Sequence, residues 1–195
     1  MSRELEFFFD VGRHAADWAW AQPRCGGRLP GATGRARPVL RGGVATATGN
    51  ASPAAAPAKG RYSGRDMQRF ARRYGVTLNQ NPHLPVNTLM AMRLAAAAVD
   101  SDQRDTVLAA LFEGMWLQER DLSDLDVLGR TLAEAGLDSA HWATLAQDQA
   151  VKDRLKATTE EAVERGVFGA PTFFVGEEMF FGQDRLDFVE EALRA

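Results

Sequence analysis

The segment Gly166-Val167-Phe168-Gly169-Ala170-Pro171-Thr172 joins a glycine-bearing turn to the apolar run Phe173-Phe174-Val175. A proline at such a junction has two readings. A cis bond turns the Ala170 backbone outward, where an extended peptide ligand can pair with it. A trans proline merely opens an edge strand. Further along, Gly182-Gln183-Asp184-Arg185 precedes the last amphipathic segment. Asp184 is a natural helix N-cap there. The same place also suits an amino-acid-like end, its carboxylate on free backbone N–H groups and its ammonium on Asp184 beside Gln183. Asn50, Lys59 and Arg61 lie in a polar stretch and offer either carboxylate contacts or a solvated loop. His14, His83 and His141 are not at metal-ligand spacing, and no metal site is expected. The lone Cys25 excludes an intramolecular disulfide, a CxxC redox pair and a multi-cysteine zinc site. GxSxG, P-loop and GxGxxG motifs are all absent, so hydrolase, NTPase and dinucleotide readings lack support.

These residues must be positioned by their elements. Leu5-Glu6-Phe7-Phe8-Phe9-Asp10-Val11 is short, aromatic and nearly continuous, which suits a strand buried on both faces. Residues 12–61 carry many glycines and five prolines (Pro23, Pro30, Pro38, Pro53, Pro57), and lack Asp and Glu after Asp17, so a loop-rich stretch is expected. Within it Pro38-Val39-Leu40 is a candidate short strand. Helices are expected from Ser63 (a capping-box-like pair with Asp66) to Tyr74, from Pro85 to Val99, and from Ser101 to Glu119. Others are expected from Ser123 to Ala135, around His141 and Trp142, and from Asp148 to Arg165. The chain ends in a hairpin, Pro171–Val175 with Met179–Phe181, and a helix from Arg185 to Leu193. Strand, helices, hairpin and helix in this order give an α/β core split by a helical insertion.

The bounds on function are broad. A chain of 195 residues with 45% hydrophobic and 25% charged side chains fits one globular domain, or one carrying a large insertion. A net charge of −3 argues against nucleic acid as a partner of the whole protein. The arginines at 24, 28, 35, 37 and 41 lack the interleaved aromatics of a nucleic-acid arm. No apolar run reaches the roughly 20 residues of a membrane span. The acidic start, Met1 to Glu6, is unlike a signal peptide, so a cytoplasmic location is expected.

A set of segments together resembles one family. They are the aromatic strand ending in Asp10-Val11-Gly12, then Pro38-Val39-Leu40, Gly42-Gly43-Val44, Ala47-Thr48-Gly49-Asn50 and Pro57-Ala58-Lys59-Gly60. Asn81-Pro82-His83-Leu84-Pro85-Val86-Asn87-Thr88, the run Gly166 to Val175, and Phe181-Gly182-Gln183-Asp184-Arg185 complete the pattern. It is similar to 2-hydroxychromene-2-carboxylate isomerase and to the related kappa-class glutathione transferases, over residues 5–12 and 38–195. The resemblance implies a thioredoxin-like, DsbA-like domain (1–62 and 166–195) with an inserted all-helical domain (63–165). It also implies glutathione as cofactor, a small aromatic-derived substrate and a homodimer. By position it makes Pro171 the cis-proline, pairs the Ala170 backbone with the cysteinyl part of glutathione, and gives the γ-glutamyl end to Gln183 and Asp184. Asn50 and Lys59 would reach the tripeptide and the substrate region.

One departure bears on catalysis. The family's first strand runs into Gly-Ser-Pro, whose serine faces the glutathione sulfur; here Arg13 stands at the serine position and His14 follows. Arg13 can favour a thiolate by charge, yet it is far larger than serine, so impaired isomerase activity is expected. Ala19-Trp20-Ala21-Gln22 fits the family again, but Pro23 to Ala36 does not. With Pro23, Gly26, Gly27 and Pro30 inside it, the helix after strand one is expected to fail, since an interior proline costs roughly 3 kcal/mol. A kappa-type transferase and a non-catalytic glutathione-binding remnant are the competing readings. A thiol-disulfide oxidoreductase is disfavoured, because no cysteine stands at the first strand–helix junction and Cys25 has no partner.

Overall fold

The structure, a computed structural model, describes residues 4–24, 34–50 and 56–195. Strand β1 (Leu5–Phe9) leads into α1 (His14–Arg24), β2 (Arg35–Pro38) and α2 (Arg41–Thr48). Six helices follow: α3 (Pro57–Tyr74), α4 (Leu89–Ala98), α5 (Arg104–Trp116), α6 (Leu125–Glu134), α7 (Ser139–Gln147) and α8 (Gln149–Glu164). The chain then returns to the sheet with β3 (Thr172–Val175) and β4 (Glu178–Phe181), and ends in α9 (Leu186–Arg194). The sheet order is β2-β1-β3-β4, with β1 parallel to β2 and antiparallel to β3. This is the α/β arrangement expected of a thioredoxin-like domain, with a set of helices inserted between its two halves.

Strand β1 is buried on both faces, as its continuous apolar sequence requires. Phe7 and Phe9 join a core with α1, α4, α5, β3 and α9, whereas Phe8 points to the other face, with Val44 of α2, Ala162 of α8 and Phe174. Phe7 stacks on Phe9 and on Phe173, with ring centroids 5.0 and 5.2 Å apart. Stacked aromatics add to the burial of their area, so this face fixes the register of β1 against β3.

The stretch expected to be loop-rich holds three elements. Strand β2 begins three residues before the expected Pro38, and its ladder with β1 runs from Glu6↔Arg35 to Phe9↔Pro38. Val39 extends the pairing through its N–H to Phe9 O, at 3.0 Å. Helix α1 forms where failure was expected. It buries Ala16, Trp18 and Ala19 and ends at Arg24; Cys25, Gly26, Gly27 and Pro30 lie outside the described residues. Tertiary burial outweighs the weak local signal.

Three helix starts also differ. Ser63 lies inside α3, which opens at Pro57, whose fixed φ suits a first helical turn. Pro85 precedes α4 rather than starting it, and Asn87 Oδ1 accepts the Leu89 N–H at the true start. Asp124, not Ser123, caps α6 by accepting from the N–H groups of Asp126 and Val127.

Candidate functional site

The site is organised around Asp10, buried at the end of β1. Its carboxylate accepts from Gly12 N (2.9 Å), Arg41 N (3.0 Å) and Thr88 Oγ1 (3.0 Å). One side chain thus ties the β1–α1 turn, the start of α2 and the approach to α4. Gly12 has no room for a side chain, since a Cβ there would lie 2.9 Å from Thr88 Cγ2.

This frame opens onto a cleft of about 980 Å³. Arg13 and His14 line it from the β1–α1 junction, Arg41 from α2, Ala170 from the turn before β3, and Gln183 from the turn after β4. Met67 and Phe70 of α3, the Leu84–Leu89 segment, Trp116 and Phe181 supply an apolar wall. Trp116 donates its indole N–H to Val11 O at 2.8 Å. The His14 ring lies on it with centroids 3.4 Å apart, and His14 Nε2 donates to Asn79 O at 2.6 Å. Burial lowers the His14 pKa to about 4, so the imidazole is neutral at pH 7.

The structure resolves the two readings of Pro171: the Ala170–Pro171 bond is cis. Ala170 lines the cleft, and its peptide lies outside the β3 ladder, which starts at Thr172. Around the bond, Thr172 Oγ1 donates to Gly169 O (2.8 Å) and Gly182 N to Pro171 O (2.9 Å). Gly182 sits at φ 99, a conformation glycine adopts readily, and so links the hairpin to Gln183.

The candidate residues do not all meet. Arg13, Ala170 and Gln183 share the cleft. Asn50 lies beside it, in a small recess also lined by Arg13, Arg41 and Ala170, and donates its amide to Phe168 O at 2.7 Å. Pro171 is buried behind Ala170. Asp184 is not the cap of α9: residues Gln183–Arg185 form a 3-10 turn, and Arg185 occupies the cap position. The Asp184 carboxylate contacts the Arg185 guanidinium and lines a neighbouring depression with Phe70, Arg73 and Tyr74. Lys59 is exposed in the first turn of α3 and does not line the cleft. Among the described residues no cluster of metal-ligating side chains occurs.

Two features escaped the sequence reading. Asp10 draws two of its donors from 31 and 78 residues away, and no local spacing announces that. Arg41 reads as one of several loop arginines but stands on the cleft beside Arg13. Burial and the nearby Arg41 charge lower the Arg13 pKa, which Asp10 partly offsets. The buried Arg13 Nε has no hydrogen-bond partner among the described residues.

Comparison with known proteins places this geometry in a family. The DSBA-like thioredoxin domain matches residues 6–194. The 2-hydroxychromene-2-carboxylate isomerase of Sphingobium xenophagum is 27% identical over 195 residues, covering 99% of both chains. The enzyme of the same name from Pseudomonas putida is 31% identical over 77% of this chain and 74% of its own. Glutathione S-transferase kappa 1 of Rattus norvegicus is 26% identical over 95% of this chain and 88% of its own. A solved 2-hydroxychromene-2-carboxylate isomerase superposes with a TM-score of 0.85 at 26% identity, over 97% of this chain and 94% of that one. The chain belongs to the DSBA-like thioredoxin family and, within it, to the family of the 2-hydroxychromene-2-carboxylate isomerases.

Proposed function

We propose that this chain is a glutathione-dependent isomerase of the 2-hydroxychromene-2-carboxylate type. The observation that carries the reading is the cleft itself. It sets the Ala170 peptide, turned by cis-Pro171, together with the amino end of α1 and a cation at position 13. The residues present fit the tripeptide at its centre. Ala170 offers a peptide edge free of the β3 ladder, Gln183 offers an amide at one end, and the orphaned Arg13 Nε offers a donor where the sulfur would lie.

When bound, glutathione would supply a thiol nucleophile suited to reversible addition at a conjugated carbon. The protein's part is to hold and orient. Ala170 pairs with the cysteinyl backbone, and Gln183 with Asp184 takes the γ-glutamyl end. Asn50, from the recess beside the cleft, reaches the rest of the tripeptide, whereas Lys59 stands outside the cleft. The Arg13 charge and the first N–H groups of α1 favour thiolate over thiol. The apolar wall of Phe70 and Phe181 takes a ring from a small aromatic-derived substrate and sheds water from it. Arg13 replaces a compact hydroxyl donor by a bulky cation, so turnover is slower than a serine at this position would give. The reading includes a homodimer, supported by the family resemblance, and a cytoplasmic location.

The test is isomerisation of 2-hydroxychromene-2-carboxylate with and without glutathione. Turnover that requires glutathione, with a higher kcat for Arg13→Ser, supports the reading. Equal turnover without glutathione contradicts it. The kappa-class relative favours a second reading, a transferase, which conjugation of chlorodinitrobenzene would reveal. Binding of glutathione without either reaction is the outcome expected of a non-catalytic remnant.

A further inference from the structure

Four charged side chains line the cleft: Asp10, Arg13, Arg41 and Asp66. The two carboxylates are engaged. Asp10 accepts three hydrogen bonds, and Asp66 pairs with Arg69 at 3.1 Å. The two guanidiniums are not. Neither Arg13 nor Arg41 forms an ion pair among the described residues, and the two lie close enough for Arg41 to act on the charge of Arg13. The neutral His14 adds no charge; its ring covers the buried Trp116, so the accessible aromatic wall of the cleft is Phe70 and Phe181. Two half-buried cations side by side repel each other and gain most from a shared anion. A guanidinium fork matches the planar geometry of a carboxylate. Arg13 stands where the family resemblance has a serine, so this half of the pair departs from the family pattern.

We propose that Arg13 and Arg41 form an oxyanion subsite that anchors the carboxylate of a ring-borne organic acid, with the ring against Phe70 and Phe181. The assignment deepens the reading above and rests on it for the identity of the cleft as the substrate site. Its test uses no glutathione, so the two can fail separately. The pair stands at the starts of α1 and α2, and both residues also line the small recess beside the cleft.

The experiment is calorimetric titration of the full chain with salicylate, salicylamide and inorganic phosphate. Salicylate is expected to bind at least tenfold tighter than the uncharged salicylamide. Arg41→Gln and Arg13→Gln should each weaken salicylate about tenfold, whereas Arg130→Gln, an exposed charge on α6, should leave it unchanged. If Arg13→Gln does not fold, Arg41→Gln decides, because the role of Arg41 in the frame is carried by its backbone N–H. Equal binding of salicylate and salicylamide, or full affinity in Arg41→Gln, overturns the subsite. Phosphate binding as tightly as salicylate overturns the assignment to a ring-borne carboxylate. Salicylate binding that depends on both arginines in a protein that ignores glutathione would uphold the subsite and remove the glutathione reading. Glutathione binding with salicylate indifferent to both arginines would do the reverse.

Discussion

Two pairs of arginines flank the same sheet in opposite circumstances. On the α8 side, Arg37 of β2 and Arg165 both reach Glu6 of β1, at 3.5 and 2.8 Å, and both also contact Glu161 of α8. Their guanidiniums lie over Phe8, and Arg165 is 3.8 Å from the Phe174 ring centroid as well. At the cleft, Arg13 and Arg41 form no such ion pair among the described residues, although a guanidinium Nε is left without a hydrogen-bond partner in both pairs, on Arg13 and on Arg37. Charge that is neutralised and stacked holds the fold. Charge left without an ion pair on a cleft is available to a ligand. Arginine content alone does not separate the two roles; the separation comes from Glu6 on an inner strand and from Asp10, whose oxygens are already taken by other donors.

The contrast can be broken at its frame first. Asp10→Ala leaves the Gly12 and Arg41 N–H groups and the Thr88 hydroxyl without their acceptor, and should cost about 3–5 kcal/mol in urea unfolding. A loss under about 1 kcal/mol would mean the cleft is not organised by this residue. Next in size, Glu6→Gln strips both arginines of a shared, half-buried partner and should cost about 1–3 kcal/mol. Arg41→Gln, measured the same way, should change stability by less than about 0.5 kcal/mol. Similar costs for the two would erase the distinction between a structural and a ligand-facing arginine.

A third effect depends on pH. Burial raises the Asp17 carboxyl on α1 to about 7, with Glu113 adding repulsion. The folded state then holds this proton more tightly than the unfolded chain, whose ordinary value is 3.8. Stability from Asp17 is therefore full below that value and lost as pH rises through about 7. His14 runs the other way: its contribution is present above 6.5 and lost as pH falls through about 4. Asp17→Asn should thus stabilise the protein at pH 8, on the order of 1–4 kcal/mol, with little gain at pH 4. Thermal melting at the two pH values checks this, and an equal gain at both would refute the raised carboxyl.

Much of this architecture is legible in the residues. The Phe7-Phe8-Phe9 run, the hairpin around Gly176 and the helices from α4 to α9 carry local patterns strong enough to read, with errors at their ends. Those errors share a cause: competing cap residues lie one to six positions apart, as with Pro57 against Ser63 and Asp124 against Ser123, and tertiary packing selects among them. The Gly12–Arg61 stretch hid α1, β2 and α2 because few of its residues alternate clearly between apolar and polar. The burial of Trp18 and the pairing of Arg35–Pro38 with β1 supply what the local sequence lacks. At the site, Pro171, Ala170 and Gln183 were visible as a motif. The Asp10 hub and the Arg13–Arg41 pair were not, because both arise from segments far apart in the chain.

The proposed function stands on glutathione binding between the Ala170 peptide and the start of α1. Calorimetric titration of the folded protein with glutathione at pH 7.5, beside Gln183→Ala, tests it most directly. One site per chain with micromolar to millimolar affinity, weakened several-fold by the substitution, is expected. A folded protein that gives no binding heat, and no thermal shift with glutathione, would contradict it.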